Sequence, residues 1–305
     1  MTRFAGIFPI LQTPFYEDGA VDVDSLRREV AFCLQAGAHG LVIPANASEF
    51  FTLSDAERLQ VTEVVLSEAR GRVPVIISCN GVSTPAAVAF TRHAITHGAD
   101  GIMVLPPYVR RAGEAGVLAY YEAVTKAAEG RAVIVQNTEP PLGTPLSTAA
   151  LVKLMERAPG IRYVKEEVTP SGQRMSALLK AAGERLHGAF GGQNGIWMLN
   201  ELDRGSCGNM PNCATVDAHV QIFNFYQAGR RDEAEALYFR LLPLLTLGSQ
   251  YGVAFAKDLL HRRGVIRTKA VRDPQPASLD QWDHADLDRY LERLRPVMMP
   301  AHPPR

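Results

Sequence analysis

The sequence has few cysteines and no excess of charge of either sign. Its four cysteines (Cys33, Cys79, Cys207 and Cys213) lie far apart and show no Cys-x-x-Cys spacing, which argues against a zinc site or a disulfide framework. Basic and acidic residues number 32 each, so the net charge favours neither a nucleic acid nor a membrane as a partner. No uncharged apolar run approaches the roughly 18 residues that a membrane span needs. With no signal-peptide pattern at the start, we expect a soluble, cytoplasmic protein.

Common ligand motifs are also missing. The eight histidines show neither His-x-His nor His-Glu-x-x-His spacing, so we expect no metal. No Gly-x-Gly-x-x-Gly follows the first apolar run, which removes the usual sign of a dinucleotide site. We therefore expect no cofactor.

Short apolar runs alternate with amphipathic stretches over the first three quarters of the chain. The predicted strands are Ile7–Gln12, Gly40–Pro44, Val73–Ser78, Gly101–Leu105, Ala132–Gln136, Ile161–Lys165, His187–Phe190 and Cys207–Met210. Each is apolar on both faces, as strands of a parallel sheet are, and helix caps such as Ser54 and Ser83 open the stretches between them. The last of these amphipathic stretches, Gly195–Leu202, is predicted to be helical from its first residue. This alternation predicts an α/β protein with a (β/α)8 TIM barrel, and a doubly wound open sheet is the alternative.

After the eighth strand, helical patterns follow one another without strands between them. The predicted helices are Val216–Ala228, Arg231–Leu247, Tyr251–Gly264 and Asp283–Leu294. We therefore predict a catalytic barrel over residues 1–228 and a C-terminal helical extension over residues 229–299.

Lys165 ends the sixth predicted strand, where an ammonium would lose its hydration. Burial favours the neutral amine, which can attack a carbonyl and form a Schiff base. The alternative is a solvated lysine whose long side chain reaches past the rim. In a barrel, the chemistry lies at the C-terminal ends of the strands, and Lys165 is the one lysine among the residues at those ends.

Short motifs are spread along the chain: Thr13-Pro14-Phe15, the run from Ala45 to Glu49, Pro106-Pro107-Tyr108, Val164-Lys165-Glu166, and the C-terminal Ala256-Lys257 with Val271-Arg272. Together they resemble the motifs of the dihydrodipicolinate synthase and N-acetylneuraminate lyase superfamily of Schiff-base barrels. The resemblance covers essentially the whole chain. It implies a (β/α)8 barrel in which Lys165 forms an imine with a 2-keto acid.

The chain departs from most of this family at the end of strand five. The family usually has a catalytic tyrosine there, whereas this chain has Gln136, and no arginine lies between Gln136 and Gly143 to hold a dicarboxylic substrate. A dihydrodipicolinate synthase activity is therefore disfavoured. Gln136, the run Ala45-Asn46-Ala47-Ser48-Glu49 and Lys165 with Thr169-Pro170 resemble the branch of 2-keto-3-deoxy-L-arabonate dehydratases. That branch is acidic after strand seven, where this chain has Gly191-Gly192-Gln193-Asn194.

The resemblance assigns roles to further residues. The backbone amides of Asn46, Ala47 and Ser48 are expected to bind the substrate carboxylate, with an ordinary polar turn as the alternative. Tyr108 is expected at the site, from its own subunit or across an interface, or else as a packing residue. Gly191 is expected to border the substrate, and a bracing role is the favoured interpretation of Glu49.

Glu167 is expected beside Lys165, because strand residues two apart share a face, whereas Glu166 points elsewhere. A carboxylate at this position could take over part of the proton transfer of the missing tyrosine. Gln136, which occupies the tyrosine's position, is predicted as the third catalytic residue. The alternative is a structural ion pair that only holds Lys165.

The sequence thus predicts a carbon–oxygen lyase that dehydrates a 2-keto-3-deoxy sugar acid. A hydroxypyrroline-carboxylate deaminase and an aldolase that releases pyruvate stay open. A non-enzymatic 2-keto acid sensor is less favoured, since no DNA-binding module accompanies the site. We expect a homo-oligomer, either a dimer or a homotetramer.

Overall fold

The structure, a computed structural model, describes residues 3–141, 143–272 and 277–300. Eight parallel strands and eleven α-helices lie in this part of the chain. The strands are β1 (Gly6–Ile7), β2 (Leu41–Ile43), β3 (Val75–Ser78), β4 (Gly101–Val104), β5 (Ala132–Asn137), β6 (Ile161–Glu166), β7 (Gly188–Gly191) and β8 (Gly208–Asn209). The helices are α1 (Val23–Gln35), α2 (Asp55–Ala69), α3 (Thr84–Thr96), α4 (Glu114–Ala127), α5 (Thr148–Arg157), α6 (Ser171–Ala182), α7 (Met198–Asp203), α8 (Val216–Gln227), α9 (Arg231–Tyr251), α10 (Val253–Arg262) and α11 (Gln281–Leu294).

The chain packs as two compact units. The first contains Pro74–Gln193, Trp197–Met210 and the N-terminal segment that ends at Ala5, and the second contains Gly6–Val73, Asn194–Ile196 and the chain from Pro211 onward. These two units are groups of residues that pack together. They do not test the predicted boundary after residue 228, which stays a prediction.

In the first unit, β3 to β8 pair in chain order, each parallel to the next. Their side chains are buried on both faces, as the apolar runs predict; Val133, Ile134 and Val135 have no exposed surface. In the ladder Gln136 is paired with Lys165, and Lys165 with Phe190. This register brings the ends of β5, β6 and β7 to one edge.

In the second unit, Ile10 forms parallel bridges with Val42, the middle residue of β2, and with Asn212. Helices α1 and α2 pack together, and α9 packs against α8 and α11. Helix α2 begins with the predicted cap: Ser54 accepts the N–H of Glu57, and the Glu57 carboxylate accepts the N–H of Ser54. The helices predicted after the eighth strand are present in the structure.

Two details differ from the sequence-based expectation. Strands β1 and β8 contain two residues each and are shorter than predicted. A helix was expected from Gly195, but α7 begins at Met198, because Gln193, Asn194 and Gly195 have positive φ angles that a right-handed helix excludes.

Candidate active site

Lys165 lies near the end of β6 and is buried, with 2% of its surface exposed. Its ammonium nitrogen is 3.0 Å from Oε1 of Glu167, which follows the strand directly. The N–H of Glu167 donates to the carbonyl of Asn137 (2.8 Å), so the ladder continues one residue past β6 and fixes the direction of the Glu167 side chain. The structure thus places Glu167 beside Lys165, where the alternation of strand side chains predicts it.

Glu166 points elsewhere, as expected. Its carboxylate accepts hydrogen bonds from Asn137 Nδ2 and Arg174 Nε and from the N–H of Val168. Burial raises the pKa of this carboxyl, and the donors from Asn137 and Arg174 oppose that rise. These contacts hold the start of α6 against β5 and leave Glu167 as the carboxylate next to the lysine.

Two glutamines complete the surroundings of the Glu167 carboxylate. Nε2 of Gln136 donates to Oε2 of Glu167 (2.9 Å), and the backbone N–H of Gln193 donates to Oε1 (3.2 Å). Oε1 of Gln136 is buried and has no hydrogen-bond partner within the described part of the chain. The three predicted catalytic residues are therefore in contact in the order Lys165, Glu167, Gln136. Oε1 of Gln136 is the acceptor that stays available.

Gly191, the last residue of β7, and Gly192, which follows it, make room for two buried carboxylates. A Cβ atom on Gly192 would lie 2.2 Å from Oε1 of Glu167, and a Cβ atom on Gly191 would lie 1.7 Å from Oε2 of Glu201. Gly191 therefore borders Glu201, while its neighbour Gly192 borders the Lys165–Glu167 pair. The predicted contact of Gly191 with substrate stays a prediction.

Glu201 was not singled out from the sequence. It is buried on α7 and accepts hydrogen bonds from Ser171 Oγ (2.7 Å) and from Asn209 Nδ2 (3.1 Å). Burial raises the pKa of this carboxyl to about 7, to which the negative charge of Glu167 contributes. The sequence offers one signal for Glu201: it is a glutamate within a mostly apolar helical stretch.

Asn46, Ala47 and Ser48 form a short 3-10 turn after β2, in the second unit. The N–H groups of Asn46 and Ala47 have no acceptor among the residues that the structure describes. The N–H of Ser48 donates to the carbonyl of Ala45, and its hydroxyl donates to the carbonyl of Leu11 (2.5 Å). This geometry leaves two of the three predicted amide donors available and gives Ser48 a bracing role. Carboxylate binding by this turn stays a prediction.

Glu49 ends this turn in a left-handed conformation, with φ of 55°. Its buried carboxylate forms an ion pair with Lys257 of α10 and accepts the N–H of Arg272 (3.0 Å). Lys257 also donates to the carbonyl of Ala270 (2.9 Å) and lies over the ring of Phe15. These contacts support the bracing interpretation of Glu49.

Tyr108 lies in the segment between β4 and α4 and is half-buried. Its neighbour Pro107 accepts a hydrogen bond from Thr144 Oγ1 (3.0 Å), which ties this segment to the one after β5. A role for Tyr108 at the site, in its own subunit or across an interface, stays a prediction.

The model of the dihydrodipicolinate synthetase family matches residues 3–292. The chain belongs to this family. An L-2-keto-3-deoxyarabonate dehydratase from Azospirillum brasilense is 33% identical over 301 residues, which cover 97% of this chain and 96% of that protein. A 4-hydroxy-tetrahydrodipicolinate synthase from Rhizobium meliloti is 32% identical over 87% of this chain and 90% of its own length.

Comparison with solved structures gives the same result. A dihydrodipicolinate synthase from Rhodopseudomonas palustris has a TM-score of 0.87 at 25% identity and covers 96% of this chain and 98% of its own. The family and this match confirm the predicted (β/α)8 barrel with added C-terminal helices. The chain is thus a lyase of this family, and no helix among its described residues is long and apolar enough to cross a membrane.

Proposed function

We propose that this chain is a lysine-imine hydro-lyase that removes water from a 2-keto-3-deoxy sugar acid. The observation that carries the proposal is the contact of Lys165 with Glu167, whose other oxygen is held by Gln136 at the position where most of the family has a tyrosine. The similarity to the Azospirillum brasilense dehydratase over 97% of the chain supports the same substrate class.

The first step needs a neutral Lys165. The proton can move from Nζ to Oε1 of Glu167 over their 3.0 Å contact, which leaves an amine to attack C2 of the 2-keto acid. Glu167 then returns this proton to the carbinolamine hydroxyl, which departs as water when the protonated imine forms. The sequence-based assignment of the substrate carboxylate to the amides of Asn46 and Ala47 is part of this proposal.

The second step is elimination. The Glu167 carboxylate removes a proton from C3, and the electron pair moves into the imine to give an enamine. The enamine expels the C4 hydroxyl, which takes the proton from Glu167 and leaves as water. Hydrolysis of the resulting conjugated imine releases an unsaturated 2-keto acid and restores Lys165.

The residues at the end of β5 favour elimination over cleavage between C3 and C4. Aldol cleavage needs a base at the C4 hydroxyl, a role that the family's tyrosine fills or relays, and an amide such as Gln136 cannot take a proton at neutral pH. Condensation of pyruvate with aspartate semialdehyde is disfavoured too, because no arginine lies between Gln136 and Gly143.

Borohydride trapping tests the imine. Incubation with pyruvate and borohydride should add a stable mass to the peptide that contains Lys165, measured by mass spectrometry. Lys165→Ala should lose both trapping and turnover, whereas Lys153→Ala, which removes an exposed lysine of α5, should keep both. Trapping or turnover in Lys165→Ala would show that the nucleophile is wrongly assigned.

Product analysis tests the reaction class. A five- or six-carbon 2-keto-3-deoxy acid should lose water without releasing pyruvate, and pyruvate with aspartate semialdehyde should give no product. Stoichiometric pyruvate would assign the chain to the aldolases, and ammonia from a hydroxypyrroline carboxylate would assign it to the deaminases. A cytoplasmic dimer or tetramer remains part of the proposal, and light scattering of the purified protein tests the oligomeric state.

A further inference from the structure

Gln193 forms two hydrogen bonds with Glu167 and a third with Trp197. Its backbone N–H donates to Oε1 of Glu167, and its side-chain Nε2 donates to the backbone carbonyl of the same residue (2.6 Å). Its Oε1 accepts the indole N–H of Trp197 (2.8 Å). One residue thus links the Glu167 carboxylate, the Glu167 backbone and the start of α7.

The first of these contacts depends on an unusual backbone conformation. Gln193 has φ of 47°, in the left-handed region, which costs a residue with a Cβ atom roughly 1 kcal/mol or more. Its side-chain hydrogen bonds to Glu167 and Trp197 oppose that cost. Loss of the side chain would therefore release the turn and, with it, the direction of the N–H.

The Glu167 carboxylate cannot be positioned by packing alone. Gly192 lies against Oε1 with no side chain, so its neighbour Gln193 supplies the donor on that side. Gln136 supplies the donor to Oε2. The position of Oε1 relative to Lys165 Nζ is thus set by two amide donors, one on each oxygen.

We propose that Gln193 is a positioning residue for Glu167: its left-handed backbone, held by the contacts to the Glu167 carbonyl and to Trp197, aims the carboxylate at the carbon next to the imine. This inference rests on the proposed function, because it assumes an imine on Lys165. Gln193 does not itself transfer a proton. Its loss should slow removal of the C3 proton and leave the final extent of imine formation unchanged.

Hydrogen–deuterium exchange of pyruvate separates the two steps. An imine of pyruvate that loses a methyl proton to Glu167 and regains a deuteron releases deuterated pyruvate, which NMR detects in D2O. We expect Gln193→Asn, which tolerates a positive φ but is one methylene shorter, to exchange roughly 10- to 100-fold more slowly. Borohydride trapping on Lys165 should reach the same extent at the same pyruvate concentration as in wild type.

Two further variants make the test specific. Trp197→Phe keeps an aromatic ring but loses the donor to Gln193. The exchange rate should therefore fall, but by less than in Gln193→Asn. Arg204→Met removes the hydrogen bonds from Arg204 to Asn200 of α7 and to Ser176 of α6, neither of which is hydrogen-bonded to Gln193 in the described part of the chain, and should leave exchange unchanged. Thermal unfolding of each variant establishes that it is folded.

The possible failures are distinguishable. If wild-type protein neither traps pyruvate nor exchanges its protons, the proposed function is wrong. If wild type does both and Gln193→Asn exchanges at the wild-type rate, Gln193 does not position Glu167. If trapping and exchange fall together in a folded Gln193→Asn protein, the residue supports the whole site and the specific assignment is overturned.

Discussion

Glu167 has two possible roles that a static contact with Lys165 does not separate. A carboxylate 3.0 Å from a buried ammonium is an ion pair in either case. The surrounding amides favour proton transfer, because Gln136 and Gln193 aim both oxygens without neutralising them.

The substitution Glu167→Gln separates these roles. Gln retains the shape and can still accept a hydrogen bond from Lys165, but it cannot carry the Lys165 proton. Imine formation should therefore slow, with water moving the proton instead, while trapping of pyruvate over a long incubation should still reach the wild-type extent. Turnover of the 2-keto-3-deoxy acid should fall by roughly 10²- to 10⁴-fold, the usual contribution of general acid–base catalysis. Steady-state kinetics and mass spectrometry provide the two readouts. Wild-type turnover would eliminate the acid–base role, and loss of trapping would support the structural pair.

At the scale of the element, the end of β7 determines where the carboxylates lie. Gly191 and Gly192 are adjacent, and their missing side chains make room on opposite sides for Glu201 and Glu167. A larger residue at either position would push a buried carboxylate out of its hydrogen bonds.

Gly192→Ala should therefore act on catalysis through Glu167. The new methyl group would lie 2.2 Å from Oε1, closer than any real contact, so the carboxylate must move away from Lys165. We expect turnover to fall roughly 100-fold, as misplaced catalytic groups often cause. Gly113→Ala is the matched control, because its methyl group meets no atom within 4 Å and its φ is −69°. Equal kinetics in the two variants would contradict this account.

Local pattern was enough to predict most elements and the core of the site. The apolar runs gave the strand positions, and alternation along β6 predicted Glu167 beside Lys165. The turn at Gln193 was not predicted, because a positive φ in a residue other than glycine depends on the side-chain contacts that hold it. Glu201 and the Glu49–Lys257 pair were missed because their partners are distant in sequence and no local period encodes such pairs.

At the scale of the whole molecule, buried carboxyls connect stability to pH. Burial raises the pKa of Glu201 and of Glu29 to about 7, from an ordinary value of 4.5. The folded state then binds protons more tightly than the unfolded state. The stability that these groups contribute is complete below pH 4.5 and is lost as pH rises through 7. Burial lowers the pKa of His39 and His219, so the stability that these two groups contribute increases as pH rises.

Comparison of Glu201→Gln with wild type cancels the contribution of the histidines. Gln resembles the protonated carboxyl, since its amide can donate to Ser171 and accept from Asn209. The two proteins should differ little in free energy of unfolding at pH 5, and the variant should be more stable by about 1–3 kcal/mol at pH 8. Urea unfolding at both pH values measures this difference. A difference that does not change with pH would show that the Glu201 carboxyl does not titrate in this range.

The contacts of Glu49 also bear on the order in which the protein is made and folds. The N–H that reaches its carboxylate belongs to Arg272, 223 residues later in the chain, and Lys257 of α10 comes almost as late. On the ribosome, the turn at Asn46–Ser48 therefore emerges long before its anchors have been synthesised. Closing so long a loop is slow. A nascent chain should thus acquire its β-strands first and a fixed turn after β2 only when its C-terminal helices have been released.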